Sequence, residues 1–148
     1  MTETYCEIME YTKDLSKRIN NMYNIQPKVY LRFNKENKFG GTTVVTYSGK
    51  NMYIEIDIPY KYTFGKTNKT FFACTLLHEY CHYMHGLGMS KKERIKDIKN
   101  YKNDLEYQRL AEHQNWLNTK HLAKKLKMWN KTFFKVMKKF YYTATIKF

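Results

Sequence analysis

The chain has 148 residues and a net charge of +14, with 43% hydrophobic and 17% aromatic residues. That length suits one domain around one hydrophobic core, and the apolar content excludes a disordered chain. No run approaches the roughly 18 apolar residues of a membrane span, the acidic start MTETYCEIMEYTKD lacks the basic and apolar regions of a signal peptide, and Cys6, Cys74 and Cys81 show no pairing pattern; the expectation is a soluble cytoplasmic protein with reduced thiols and no membrane contact.

Residues 3–22 place Tyr5, Ile8, Tyr11, Leu15, Ile19 and Met22 at intervals of three and four, the period of a helix with one apolar face. Asn20, Asn21, Asn24 and Pro27 then end it. Three strand-like runs follow. KVYLRF alternates Val29, Leu31 and Phe33 with Tyr30 and Arg32; TTVVTYS is rich in β-branched residues; NMYIEIDI turns Met52, Ile54, Ile56 and Ile58 to one face. SGKN joins the last two as a hairpin turn containing Gly49, and Pro59 closes the third. TTVVTYS is the expected sheet edge.

After a loop at 60–69, the run from about Lys69 to Met84 is helical and apolar on most faces, so it should be buried, with Gly86 and Gly88 at its end. Ser90 opens a basic connecting segment, and Asn103 or Asp104 caps the next helix. Leu122, Leu126, Trp129, Phe133, Val136 or Met137, and Phe140 continue at helical spacing as a long or broken amphipathic helix. YYTATIKF reads as a terminal strand or a frayed end. Helix, three strands and then helices make an α+β chain.

LLHEYCHYMHG, within the buried helix, carries the chemistry. His78 and His82 are four apart, so both imidazoles can reach one metal ion. Glu79 lies about 100° further round the helix, beside such a metal rather than on it, where a carboxylate can take a proton from metal-activated water. Shuffled chains of this composition contain H-E-x-x-H roughly once per hundred; its place on a buried helix after a β-rich stretch adds weight. A catalytic zinc usually keeps three protein ligands. Residues able to supply the third are His85, Glu93, Asp104, Glu106, Glu112, His113 and His121. His85 sits at the helix end, seven residues from His78, where geometry is poor. Glu106 and Glu112, on a separate helix, remain close alternatives by pattern.

KTFFACTLLHEYCHYMHG resembles the motif region of ImmA/IrrE-type zinc metallopeptidases, where a strand precedes the motif helix and a glutamate about thirty residues downstream completes the site. EHQNWL, residues 112–117, fits that downstream segment. The resemblance, over roughly residues 50–125, implies a minimal zincin-like domain, Zn2+ as cofactor, His78, His82 and Glu112 as ligands, Glu79 as general base, and a regulatory protein as substrate. Cys81 stands where the family has glycine, and His113 and Gln114 where it has a small residue and Asn or Asp. SprT-like proteases also pair H-E-x-x-H with nucleic acid but use a downstream histidine.

The implied activity is zinc-dependent endopeptidase, with His113 and Tyr53 as candidates to stabilise the oxyanion. A substrate could lie along the TTVVTYS edge. No Asp or Glu follows Glu112, while Lys120, Lys124, Lys125, Lys127, Lys131, Lys135, Lys138, Lys139 and Lys147 do. This basic segment, from about residue 119 on, is expected to meet nucleic acid or an acidic protein surface. The alternative function is therefore a nucleic-acid-associated protein whose metal site is structural.

Overall fold

The structure, a computed structural model, describes residues 3–34, 39–46, 48–59 and 66–145. Helix α1 spans Glu3–Tyr23, strands β1, β2 and β3 span Val29–Asn34, Gly40–Val45 and Met52–Pro59, and helices α2 to α5 span Lys66–Leu87, Lys91–Asn103, Leu105–Lys125 and Lys131–Thr145. This is a small α+β fold.

The sheet order is β1-β3-β2. β2 returns into β3 as an antiparallel hairpin, whereas β1 pairs with β3 in parallel, Leu31 opposite Ile56. β2 is thus an edge strand, as expected for TTVVTYS, of which Tyr47 lies outside the described residues. In the SGKN turn Gly49 has φ +71°, and a Cβ there would lie 2.9 Å from the Lys91 carbonyl, so glycine is required twice over. Ile54, Ile56 and Ile58 are fully buried. Each such side chain contributes about 1.5–3 kcal/mol of burial free energy as an upper estimate.

On α1, Ile8, Leu15 and Ile19 face the core, while Met22 is 43% exposed and the Tyr5 side chain lies outside those described. α1 ends where Asn24 takes φ +52°, a conformation asparagine tolerates. α2 is the central element: residues 72–81 are all buried, and it packs on β2, β3, α4 and α5. The Tyr80 hydroxyl donates to Asn20 Oδ1 at 2.9 Å and ties α2 to α1.

Three differences from the sequence expectations have local causes, and one open expectation is resolved. α2 runs from Lys66 to Leu87, longer at both ends, and residues 60–65 of the expected loop lie outside the described ones. Gly86 does not terminate α2; it is buried within it, and a Cβ there would lie 2.5 Å from Met52 Sδ, so the glycine lets β3 approach the helix. Of the long or broken helix expected after Leu122, the structure has the broken form: Lys127 takes φ +58° and Asn130 Oδ1 accepts from the Phe133 amide to start α5. Residues 141–145 are helical rather than a strand, and 146–148 lie outside the described residues.

α3 begins with a capping box between Ser90 and Glu93, and α4 begins with Asp104 accepting from the Tyr107 amide. Arg94 fastens α3, donating to the carbonyls of Gly86 and Gly49 at 2.7 and 2.9 Å. No helix among the described residues is long and apolar enough to cross a membrane.

Candidate metal centre

α2 presents His78 and His82 one turn apart, and α4 packs beside them with Glu112. His78 Nε2 lies 3.0 Å from Glu112 Oε2, and His82 Nε2 lies 2.9 Å from Glu112 Oε1. The three donor groups fall within 4.8 Å of one another. Their side chains are only 9%, 24% and 12% exposed in the order His78, His82, Glu112. Donors held at about 2.0–2.1 Å by one tetrahedral ion stand about 3.3 Å apart. The two histidine–carboxylate separations need to open by only a few tenths of an ångström. Two imidazoles and a carboxylate suit zinc, and three ligands leave a fourth position for water or substrate.

The group is also electrostatically coupled. Burial pushes the Glu112 carboxyl up, but hydrogen bonds and charge from His78 and His82 outweigh it and hold the group well below the usual carboxylate range. Burial likewise pulls His82 down, and Glu112, with Glu79 and Asp97 behind it, more than reverses this, so His82 stands above its ordinary value.

A ring of further side chains fixes the donors. The Tyr101 hydroxyl, on α3, donates to Glu112 Oε1 at 2.7 Å. Burial and the neighbouring carboxylate push that phenol up, so it remains a donor. Trp116 stacks on the His78 ring with centroids 3.8 Å apart. Asn115 Nδ2 donates to the His78 carbonyl at 3.0 Å. His78 Nδ1 lies 3.1 Å from Asn115 Nδ2 and 3.4 Å from Thr119 Oγ1, whose own hydrogen goes to the Asn115 carbonyl at 2.8 Å. A metal on Nε2 requires the His78 proton on Nδ1, and of these two neighbours only the Thr119 oxygen can accept it. Tyr101→Phe and Thr119→Val are each expected to lower zinc affinity about 10–100-fold without unfolding the chain. Competition against a chromophoric chelator, with circular dichroism as the folding control, measures this; unchanged affinity in both variants would mean that these contacts do not orient the donors.

Glu79 stands apart from the three donors, 5% exposed. The Thr43 hydroxyl of β2 lies 3.0 Å from its Oε1 and 2.9 Å from its carbonyl oxygen. Gly41 of β2 packs against the same side chain, close enough that a Cβ would come within 2.7 Å of Glu79 Cγ. His78, Glu79, His82 and Glu112 all line a cleft of about 730 Å³, which the edge strand β2 borders from Gly40 to Val45 and α3 borders through Arg94, Asp97 and Tyr101.

The other candidates for a third donor are placed elsewhere. Glu93 and Asp104 are helix caps. Glu106 has a 75% exposed side chain 4.0 Å from Arg109. His113 and His121 are exposed, and His85 lines the cleft without joining the cluster. Neither oxyanion candidate reaches the cleft: Tyr53 packs edge-on against Tyr30 at 5.5 Å, and exposed His113 is not among the lining residues. Burial raises the Cys81 thiol to about 12, and Cys81 is not part of the donor cluster.

Sequence reasoning did not find Gly41, Thr43, Tyr101, Asn115 or Thr119. For the last two a signal existed, since positions 112, 115 and 119 share one helix face. Comparisons of the chain with protein-family models, with curated proteins and with solved structures find no match, and the chemistry of the site rests on its own side chains.

Proposed function

We propose that the protein is a zinc-dependent endopeptidase. The observation that carries this reading is the convergence of His78, His82 and Glu112, with Glu79 held next to them by β2 but outside the donor set. A site built only to bind metal has no use for a buried fourth acidic group positioned in this way. The resemblance of His78, Glu79, His82 and Glu112 to the ImmA/IrrE-type pattern supports the same reading.

Zinc bound at the three donors would supply a Lewis acid, lowering the pKa of water to near neutrality and polarising a substrate carbonyl. The remaining steps fall to the chain. Glu79 takes a proton from the attacking water and delivers it to the leaving amine, which needs a carboxylate fixed in place rather than free to rotate. Thr43 provides that fixation. The β2 edge gives an extended peptide a row of main-chain partners beside the cleft, so the substrate is a protein segment in β conformation.

The test is a pair of measurements on the purified chain and on Glu79→Gln. Zinc content should be about one ion per chain in both. Hydrolysis of a quenched-fluorescent peptide library and of unfolded casein should fall by about 10²–10⁴-fold in the variant. A folded protein that takes up no zinc, or a variant that cleaves as fast as the parent, would remove the enzyme reading.

A further inference from the structure

We propose that the corner between α4 and α5 binds single-stranded nucleic acid through phosphate contacts and base stacking, independently of the metal centre. On α5 the buried face is Phe133 and Val136, at 2% and 5% exposure. Lys131, Phe134 and Lys135 occupy the opposite face at helical neighbour spacing. Phe134 is 46% exposed. Its ring meets Trp129 edge-on at 5.9 Å, and the ammonium groups of Lys120 and Lys124 lie 5.3 and 6.0 Å from the centre of the Trp129 ring. Two aromatic rings are therefore framed by four lysines drawn from two helices. None of these six residues lines the cleft.

No Asp or Glu follows Glu112 in the sequence. Among the described residues no ion pair engages Lys120, Lys124, Lys131 or Lys135. Lysines spaced around rings match a single strand: ammonium groups take the phosphates, and an exposed ring takes a base face, with roughly 1–3 kcal/mol per stacked base. Lysine in place of arginine offers point charges without the bidentate fork that reads base edges, so binding is independent of sequence. An anionic membrane surface fits less well. Insertion needs a broad free apolar face, and on α5 that face is committed to the core, with Met137 and Phe140 also packed against it.

Fluorescence anisotropy of the full chain with labelled oligo-dT and oligo-U of roughly 20 nucleotides, between about 50 and 200 mM salt, tests this. The logarithm of affinity should fall linearly with the logarithm of salt concentration, by about 0.7 per phosphate contact. Lys131→Ala/Lys135→Ala should flatten the slope by about 1.4, whereas Lys91→Ala/Lys96→Ala on exposed α3, removing equal charge, should leave it unchanged. Phe134→Ala should weaken binding about fivefold or more at an unaltered slope. Equal binding of dT and U supports a backbone-and-stacking surface, and a preference for one identifies the strand it takes. Identical losses from the two lysine pairs, an indifferent Phe134→Ala, or tighter binding to phosphatidylcholine–phosphatidylserine vesicles than to either oligonucleotide would each overturn the proposal. Circular dichroism checks that the variants fold.

Discussion

Glu112→Ala is expected to weaken zinc binding by more than about 100-fold, beyond the usual loss from an outer contact, while Glu106→Ala leaves it near the parent value. Glu112 brings both carboxylate oxygens to the histidines, at 2.9 and 3.0 Å. Glu106, six residues earlier on the same helix, points to solvent beside Arg109. Competition titration with a chromophoric chelator reads the difference, and the reverse order of the two variants would show the donor set to be wrong. The same carboxylate imposes a pH signature on the metal-free protein. Its pKa is depressed in the fold, so its contribution to stability is present above the unfolded value of about 4.3 and is lost as pH falls through the folded value. His82 is raised, so its contribution is present below about 6.5 and is lost as pH rises through the folded value. The pair therefore supports the metal-free fold best between about pH 4.3 and 6.5. Zinc needs the His82 lone pair, so its stabilisation grows as pH rises and protons cease to compete. Melting curves with and without zinc should diverge on the alkaline side and converge in acid; parallel curves would contradict ligation by His82.

How far this site could be read from the sequence follows the range of the contacts involved. His78, Glu79 and His82 are legible because their geometry is set within one helical turn. Glu112 needed a second helix, and spacing alone left Glu106 beside it; only the packing of α4 on α2 separates a donor from a solvent-facing residue. Thr43 and Gly41 reach Glu79 across a strand-to-helix contact, and alternation in TTVVTYS says which residues share a face without saying what that face meets. The parallel pairing of β1 with β3 was equally hidden, since each strand's pattern fits either partner direction. The break between α4 and α5 carries no Gly or Pro, and the apolar stripe continues across it through Leu126 to Phe133. Asn130, a favoured N-cap type, was the signal available. The buried centre of α2 was plain by contrast, because an all-round apolar helix has nowhere else to go.

Gly41→Ala should leave zinc affinity unchanged and reduce kcat by about 10²-fold, the scale of an ångström-sized misplacement of a reacting group. The requirement at this position is space rather than backbone freedom. An added Cβ would lie 2.7 Å from Glu79 Cγ, 3.0 Å from its Oε2 and 3.1 Å from Thr75 Cγ2. Thr75 has little freedom to yield, because its hydroxyl is bound to the Phe71 carbonyl at 2.9 Å. Glu79 is then the group that moves, and it leaves the Thr43 hydroxyl. None of the three candidate metal donors supplies one of the three atoms nearest the new methyl group, which is why metal affinity and turnover should separate. Thr43→Val removes the grip without adding bulk and should give a smaller loss of kcat than Gly41→Ala, again with zinc retained. Zinc titration, melting temperature and kcat measured together on both variants decide the matter. If Gly41→Ala turns over at the parent rate, β2 does not position Glu79; if it loses zinc and melts early, the contact supports the fold and not the chemistry.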